Sequence, residues 1–170
     1  MVKRISPQIK VLSQLDYDAY LIHCCWMDYA LRLARTAGER GEIPVGAVII
    51  DRQGNIIAEA ANRKTRECDP TAHAEILAIR TATKTIQSPY LSGCTLYVTL
   101  EPCPMCAGAI IHSRLGLLVY GADDPKTGAI RTVTNIPDSY CSNHRLQVLA
   151  GIKEAACRQQ LQSWFTRQRI

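Results

Sequence analysis

Two stretches decide the fold and the chemistry of this chain: Thr71-Ala72-His73-Ala74-Glu75-Ile76 and Pro102-Cys103-Pro104-Met105-Cys106. They supply one imidazole (His73), two thiols (Cys103 and Cys106) and one carboxylate (Glu75). Three nitrogen and sulfur ligands leave the fourth tetrahedral position of a zinc ion open for water, as in catalytic rather than structural sites. We therefore predict one zinc ion per subunit, held by these three ligands, with Glu75 as the base that acts on the water.

The spacing of these residues, His-x-Glu followed by Pro-Cys-x-x-Cys, is typical of zinc-dependent nucleobase deaminases. Hydrolytic deamination needs a nucleophile at an amidine-like carbon, and protons for the ring nitrogen and the departing ammonia. Zinc hydroxide would attack the base, and Glu75 would shuttle the proton between these positions. The alternative is a zinc site that only holds the fold, which normally has four protein ligands, often as two Cys-x-x-Cys pairs. The sequence contains one such pair.

Length and composition fit one ordinary globular domain. The chain has 170 residues, of which 47% are hydrophobic and 21% charged. No apolar run has the length of a membrane span and no signal peptide opens the sequence, so we expect no membrane contact and a cytoplasmic location. Eight cysteines without an export signal favour a reducing compartment over a disulfide framework. The net charge of +5 suits a polyanionic partner without proving one.

Hydrophobic periodicity predicts an α/β protein in which strands alternate with helices after an opening hairpin. Residues 1–20 show no strong period and are assigned to an N-terminal extension, which leaves 21–170 as the domain that carries the motifs. The long, turn-rich segment 121–145 is expected to be functional. The predicted strands cover residues 45–50, 56–60, 95–100, 117–120 and 147–150, and the predicted helices cover residues 26–37, 71–80, 105–113 and 153–167.

From about Trp26 onward the chain resembles the bacterial tRNA-specific adenosine deaminase (TadA) family. The resemblance implies a three-layer α/β/α cytidine-deaminase-like fold with a mixed five-stranded sheet, and a homodimer. It also implies a tRNA anticodon arm as partner, with conversion of the wobble adenosine, expected in an arginine tRNA, to inosine. The stretches that carry it are Glu42-Ile43-Pro44-Val45-Gly46-Ala47-Val48, Asp69-Pro70-Thr71-Ala72-His73-Ala74-Glu75, Leu96-Tyr97-Val98-Thr99-Leu100-Glu101-Pro102-Cys103, Cys106-Ala107-Gly108-Ala109-Ile110-Ile111-His112-Ser113-Arg114, Tyr120-Gly121-Ala122-Asp123-Asp124-Pro125-Lys126-Thr127-Gly128-Ala129 and Asn143-His144-Arg145.

The resemblance also implies residues that bind the substrate. Asn62 matches the asparagine that contacts the base in this family, although an asparagine in a loop also caps turns. Phe165 matches a phenylalanine that helps to hold anticodon bases, although a lone aromatic residue on a helix can equally belong to the core. Four more residues lie in segments that border the RNA in this family: Asp124, Lys126, Asn143 and Arg145. The alternative for each of them is a position in a solvated loop.

The chain departs from the family pattern at several positions. Pro104 stands where bacterial relatives commonly carry valine, and Pro-Cys-Pro-Met-Cys also occurs in guanine deaminases. Ala61 replaces a tryptophan that often precedes the asparagine, and Ile130-Arg131-Thr132-Val133 changes the loop expected to face RNA. Two alternatives therefore stay open: a deaminase of free guanine, cytosine or a nucleoside, and an RNA-binding module without catalysis. An intact Glu75 argues against the second.

Overall fold

The apolar runs predicted as strands all form strands in the computed structural model, which describes residues 9–10 and 15–168. A short additional strand precedes them. In chain order the strands are β1 (Ile9–Lys10), β2 (Gly46–Ile50), β3 (Ile56–Ala61), β4 (Thr95–Leu100), β5 (Leu117–Ala122) and β6 (Gln147–Ala150). The helices are α1 (Tyr17–Glu39), α2 (Ala74–Thr85), α3 (Pro104–His112) and α4 (Glu154–Arg167).

The strands pair into one mixed sheet in the order β1-β6-β5-β4-β2-β3. β2 runs antiparallel to both of its neighbours, β3 and β4, whereas β4, β5 and β6 are mutually parallel. The predicted five-stranded mixed sheet is therefore confirmed. β1 extends it by pairing parallel with β6, with Ile9 opposite Val148.

Helices cover both faces of the sheet, so the predicted three-layer α/β/α architecture is confirmed. Side chains of a strand point alternately to the two faces. Ala47 and Ile49 of β2 accordingly belong to the hydrophobic cluster that contains α2 and α3. Val48 and Ile50 belong to the opposite cluster, which contains α1 and Cys157 of α4.

The N-terminal boundary differs from the one that the sequence predicts. Helix α1 begins at Tyr17 rather than near Trp26, so the limit at residue 20 falls inside its first turn. The Asp16 carboxylate caps this helix by accepting a hydrogen bond from the Ala19 N–H at 2.7 Å. The apolar period becomes regular only later in α1, which is why periodicity places the start too late. Residues 1–8 and 11–14 of the predicted extension lie outside the described residues.

The sheet brings the segments that carry the motifs to one edge. β3 and β4 end at this edge, and β2, paired between them, begins there. α2 follows β3 and α3 follows β4, so both helices begin on the same side of the molecule. The carboxyl ends of parallel strands are where open α/β sheets bind ligands. No helix in the described part of the chain is both long and apolar enough to cross a membrane.

The close packing of α1 on β2 yields a stability prediction. A Cβ atom at Gly46 would lie 2.2 Å from the Ala30 carbonyl oxygen and 2.6 Å from the Ala34 nitrogen. Gly46→Ala must therefore push α1 away from the sheet, and we expect the free energy of unfolding to fall by about 1–3 kcal/mol. Urea unfolding would measure the loss.

Gly108→Ala is the matched control because, apart from adjacent residues and the backbone of its own helix, no heavy atom lies within 4 Å of the added Cβ. Gly108 lies inside helix α3, where alanine is favoured over glycine by about 1 kcal/mol. Equal stability of the Gly46→Ala variant and the unmodified protein would contradict the close approach of α1 to β2.

Candidate active site

Two residues of the predicted zinc site stand directly before helices. His73 is the N-cap of α2 and Cys103 is the N-cap of α3, which has Pro104 in its first turn. Neither the imidazole nor the thiol makes a capping hydrogen bond, so both side chains are available to a ligand. Cys106 follows Cys103 by three residues, which places both thiols on one side of the first helical turn. Proline is well suited to this turn because its nitrogen carries no hydrogen.

The three donor atoms form a compact group. The His73 Nδ1 atom lies 3.8 Å from the Cys103 sulfur and 3.6 Å from the Cys106 sulfur. Their ligand atoms all lie within 4.8 Å of one another. Ligands at ordinary zinc–nitrogen and zinc–sulfur distances stand about 3.5–3.8 Å apart in a tetrahedron. The group therefore fits a zinc ion with one position open to water.

Electrostatics at the thiols also favour a cation. A hydrogen bond from Cys106 lowers the pKa of Cys103 to about 4, and His73 acts in the same direction. The same hydrogen bond, together with burial, raises the pKa of Cys106 above its ordinary value. The hydrogen bond with Cys103 raises the pKa of His73. The protein thus stabilises a thiolate at the start of α3, where the helix dipole adds positive potential. A metal ion in place of the proton shared by the two sulfurs would allow both to bind as thiolates.

Glu75 lies beside this group in the first turn of α2 but is separate from the three donors. Its side chain is only 4% exposed. Burial raises the pKa of its carboxyl because water no longer stabilises the charged form. A buried carboxyl group next to a metal site, with a raised pKa, suits a group that accepts and returns a proton.

Asn62 follows β3 and is buried next to the same helix start. Its Oδ1 atom accepts a hydrogen bond from the Ala74 N–H at 2.9 Å, and its own N–H donates to the Val45 carbonyl at 3.1 Å. Asn62 therefore caps the start of α2 through the Ala74 N–H, and not a turn of its own loop. The side-chain nitrogen takes no part in the capping bond. Capping and a contact with a base are thus compatible.

Asp124 and Lys126 lie in the loop after β5. The Asp124 carboxylate accepts hydrogen bonds from the Lys126 N–H at 2.9 Å and the Thr127 hydroxyl at 2.6 Å, which folds this loop into a turn. Lys126 is exposed. The Asp124 side chain therefore shapes the loop, while the Lys126 ammonium faces solvent.

Asn143 and Arg145 are exposed residues in the segment before β6. His144 between them bonds through Nε2 to the Leu115 carbonyl oxygen at 2.6 Å. This contact holds the segment against the body of the protein and leaves its two neighbours at the surface. His144 therefore has a structural role.

Phe165 lies outside the core. Its ring is 44% exposed and stands edge-on to Trp164, with centroids 5.1 Å apart. The Trp164 indole N–H donates to the Gly38 carbonyl at 3.1 Å, so Trp164 anchors α4 to α1 while Phe165 remains at the surface. A cavity of about 910 Å³ lies between these two helices, and its lining includes Arg35 and Arg167 but none of the zinc ligands.

The structure thus brings half of the predicted site residues together at the two helix starts: His73, Glu75, Cys103, Cys106 and Asn62. The other predicted residues lie on separate surface segments around the domain: Asp124, Lys126, Asn143, Arg145 and Phe165. Arg169, a basic residue four positions after Phe165 in the sequence, lies outside the described residues.

Two buried carboxylates beside the site are absent from the predicted residues. Glu42 accepts hydrogen bonds from the N–H groups of Thr65 and Arg66, in the loop between β3 and α2. Glu101 accepts hydrogen bonds from the loop after β5 in the same way. A charged residue at the end of an apolar strand, directly before Pro102, is a sequence signal that could have identified Glu101.

Comparison with known proteins identifies the family. Residues 22–122 match the cytidine and deoxycytidylate deaminase zinc-binding region. The tRNA-specific adenosine deaminase of Haemophilus influenzae is 52% identical over 84% of this chain and 83% of its own length. The chain belongs to the tRNA-specific adenosine deaminase family. This deaminase is therefore a zinc-dependent hydrolytic enzyme.

Solved structures resemble this deaminase in fold as well. A structure from work on A-to-I editing by tRNA:A34 deaminases is 43% identical, with a TM-score of 0.77 over 80% of this chain and 98% of that one. Guanine deaminase from Nitrosomonas europaea is 26% identical, with a TM-score of 0.71 over 96% of this chain and 90% of that one. Both matches agree with the cytidine-deaminase-like fold predicted from the sequence.

The site predicts how zinc content responds to substitution. His73→Ala removes one of the three donors, so we expect the purified protein to contain well under one zinc per chain and to melt at a lower temperature. Glu75→Gln should keep one zinc per chain because the carboxylate is not among the donors. Elemental analysis and thermal unfolding would measure both. Loss of zinc in the Glu75→Gln variant would make Glu75 a ligand instead.

Proposed function

We propose that this deaminase converts the wobble adenosine of a tRNA anticodon, in an arginine tRNA, to inosine. The observation that carries the proposal is the complete donor group with its buried carboxylate, in a chain 52% identical to a tRNA-specific adenosine deaminase. The anticodon base is unstacked on binding, because its reacting carbon is inaccessible within a stacked helix.

The reaction exchanges the amino group of the base for oxygen. The C6–O bond forms, the C6–N6 bond breaks, and water and adenosine become inosine and ammonia. His73, Cys103 and Cys106 would hold the zinc ion, which would supply Lewis-acid activation of water. The Glu75 carboxylate accepts a proton from the attacking water and delivers it to the ring nitrogen. Glu75 then takes the remaining proton from the oxygen added at C6 and transfers it to the departing amine.

Asn62 positions the base by a direct contact. Its Oδ1 atom is fixed by the Ala74 N–H, which orients the side-chain amide next to the helix that carries Glu75. A capped and buried amide loses little entropy on binding a base, because its rotamer is already fixed. The carboxamide nitrogen is the group that meets a ring or carbonyl acceptor.

The RNA around the base contacts exposed side chains on three segments. Lys126 and Arg145 supply positive charge for phosphates, while Asp124 and Asn143 supply hydrogen-bonding groups. Phe165, at the surface of α4, offers a ring on which an unpaired base stacks. Asp124 and Lys126 follow β5 at the edge of the sheet that carries the zinc site. Asn143 and Arg145 precede β6 at the other edge, so the proposed RNA contact extends across the domain.

Deamination of free guanine is the second candidate. Pro104 in the first turn of α3 gives the Pro-Cys-Pro-Met-Cys sequence that guanine deaminases also carry, and a guanine deaminase shares the fold at 26% identity. Binding of a free base would not require the exposed basic and aromatic residues. The tRNA substrate therefore has the stronger support.

The resemblance to the family is also the basis for two further proposals: this deaminase acts as a homodimer, and it works in the cytoplasm, where tRNA is modified. Light scattering of the purified protein would test the first of these. A mass equal to one chain would contradict the dimer.

A stem-loop assay tests the proposed function. The protein should form inosine from an arginine tRNA anticodon stem-loop with adenosine at the wobble position, and leave free guanine, cytidine and adenosine unchanged. Glu75→Gln should lower turnover by about 10²–10⁴-fold while zinc stays bound, because the proton carrier is lost. Nucleoside analysis of the digested product would measure both. Turnover of free guanine without inosine would select the second candidate.

The RNA contacts predict a change in salt dependence. Lys126→Ala and Arg145→Ala should each weaken stem-loop binding and reduce the slope of log K against log salt concentration by about 1, since one phosphate contact is lost. Binding titrations at several salt concentrations would give the slope. Lys84→Ala is the control, because Lys84 is exposed in the last turn of α2, at the end away from His73. Equal slopes for all variants would remove Lys126 and Arg145 from the interface.

A further inference from the structure

Glu101 stands at the point where the zinc-site segment meets the loop that follows β5. It comes directly after β4 and two residues before Cys103, and its side chain is only 2% exposed. We name residues 124–132 the substrate loop, because this segment includes the proposed RNA contacts Asp124 and Lys126. This loop folds around the Glu101 carboxylate.

The Glu101 carboxylate binds both ends of the substrate loop, Oε2 at both ends and Oε1 at the second end only. Oε2 accepts a hydrogen bond from the Asp124 N–H at 3.1 Å and another from the Thr132 hydroxyl. Oε1 accepts from the N–H groups of Ile130 at 3.1 Å, Arg131 at 2.8 Å and Thr132 at 3.0 Å. The first and last residues of the loop are thereby held by the same side chain.

The charge of Glu101 is balanced by these donors rather than by a cation. None of the ion pairs in the described part of the chain includes Glu101, and the Arg131 guanidinium instead binds the Asp123 carboxylate. A buried carboxylate is costly unless its hydrogen-bonding capacity is filled. The loop must therefore supply all its donors together, which favours a single loop conformation.

The loop is also bound to the segment that carries the metal ligand. The Ala129 N–H donates to the Pro102 carbonyl at 2.9 Å, one residue before Cys103. At Gly128, an added Cβ would lie 2.2 Å from the Glu101 Oε2 atom, so the loop backbone passes directly over the carboxylate. The positions of Cys103 and of the substrate loop are thus linked through Glu101 and Pro102.

We propose that Glu101 is a positioning residue for RNA recognition, which fixes the substrate loop relative to the zinc site. The inference rests on the proposed tRNA function and adds to it a residue that contacts neither the metal nor the base. Glu101 sets where Asp124 and Lys126 stand when the RNA arrives, so its loss weakens substrate binding more than it slows chemistry.

Glu101→Gln tests this role. The amide keeps one acceptor oxygen but turns an NH2 group toward donors, so the loop loses part of its bonding. We expect KM for the wobble-adenosine stem-loop to rise about tenfold, the loss typical of a hydrogen bond to a charged group. Turnover at saturation should change less than about threefold, and one zinc per chain should remain. Hydrogen exchange should accelerate at the amides of residues 124–132.

Two further variants complete the design. Thr132→Val removes only the hydroxyl donor of an exposed residue, and we expect its KM to rise about threefold. This variant tests the role of Glu101 if the Glu101→Gln variant does not fold. Asp51→Asn is the matched control, because the Asp51 carboxylate likewise accepts backbone N–H groups, those of Gln53 and Asn55, but in the β2–β3 turn outside the substrate loop. Its KM should equal that of the unmodified protein.

The outcomes separate this inference from the proposed function. A folded, zinc-loaded Glu101→Gln or Thr132→Val variant with unchanged KM overturns the positioning role, while inosine formation by the unmodified protein leaves the function intact. A fall in turnover and melting temperature without a change in KM also overturns it, because that pattern belongs to a purely structural residue. Absence of inosine with the unmodified protein overturns the proposed function, and this inference with it.

Discussion

The convergence of two helix starts on one point is the constraint on which this protein depends. His73 precedes α2 and Cys103 precedes α3, and their donor atoms meet only if β3 and β4 end at the same edge of the sheet. β2 makes this possible because it pairs antiparallel with both strands. Gly46 has no side chain where α1 crosses β2, so α1 can pack closely on the face of the sheet opposite α2 and α3.

Polar groups held inside the protein shape the surroundings of the metal site. Asn62 caps α2, Glu42 binds the loop between β3 and α2, and Glu101 binds the substrate loop. Each of these side chains accepts hydrogen bonds from backbone N–H groups, which offset the free-energy cost of burying a polar group. The loops around the site are therefore ordered by interior acceptors, and their outer side chains remain available to a large, charged substrate. The same buried groups therefore support both substrate recognition and catalysis.

Much of the fold was predictable because its signals are local. The strand formed by residues 95–100 and the strand formed by residues 147–150 have the predicted bounds, since apolar runs between turn residues mark buried strands. Helix α3 differs from its prediction by one residue at each end. α2 extends to Thr85, beyond the predicted Arg80, and α1 begins earlier than predicted. Such ends depend on caps and on packing, which periodicity does not register.

The sequence by itself determined the chemistry: the donor types, their spacing and the carboxylate that follows His73 specify a zinc deaminase without any coordinates. It also determined the layered α/β class, because hydrophobic periods encode it. Only the tertiary structure decided that Glu42 and Glu101 are interior acceptors, that Phe165 is exposed, and that a two-residue strand extends the sheet at β6. Burial and hydrogen-bond partners arise between segments far apart in the chain, so no local pattern contains them.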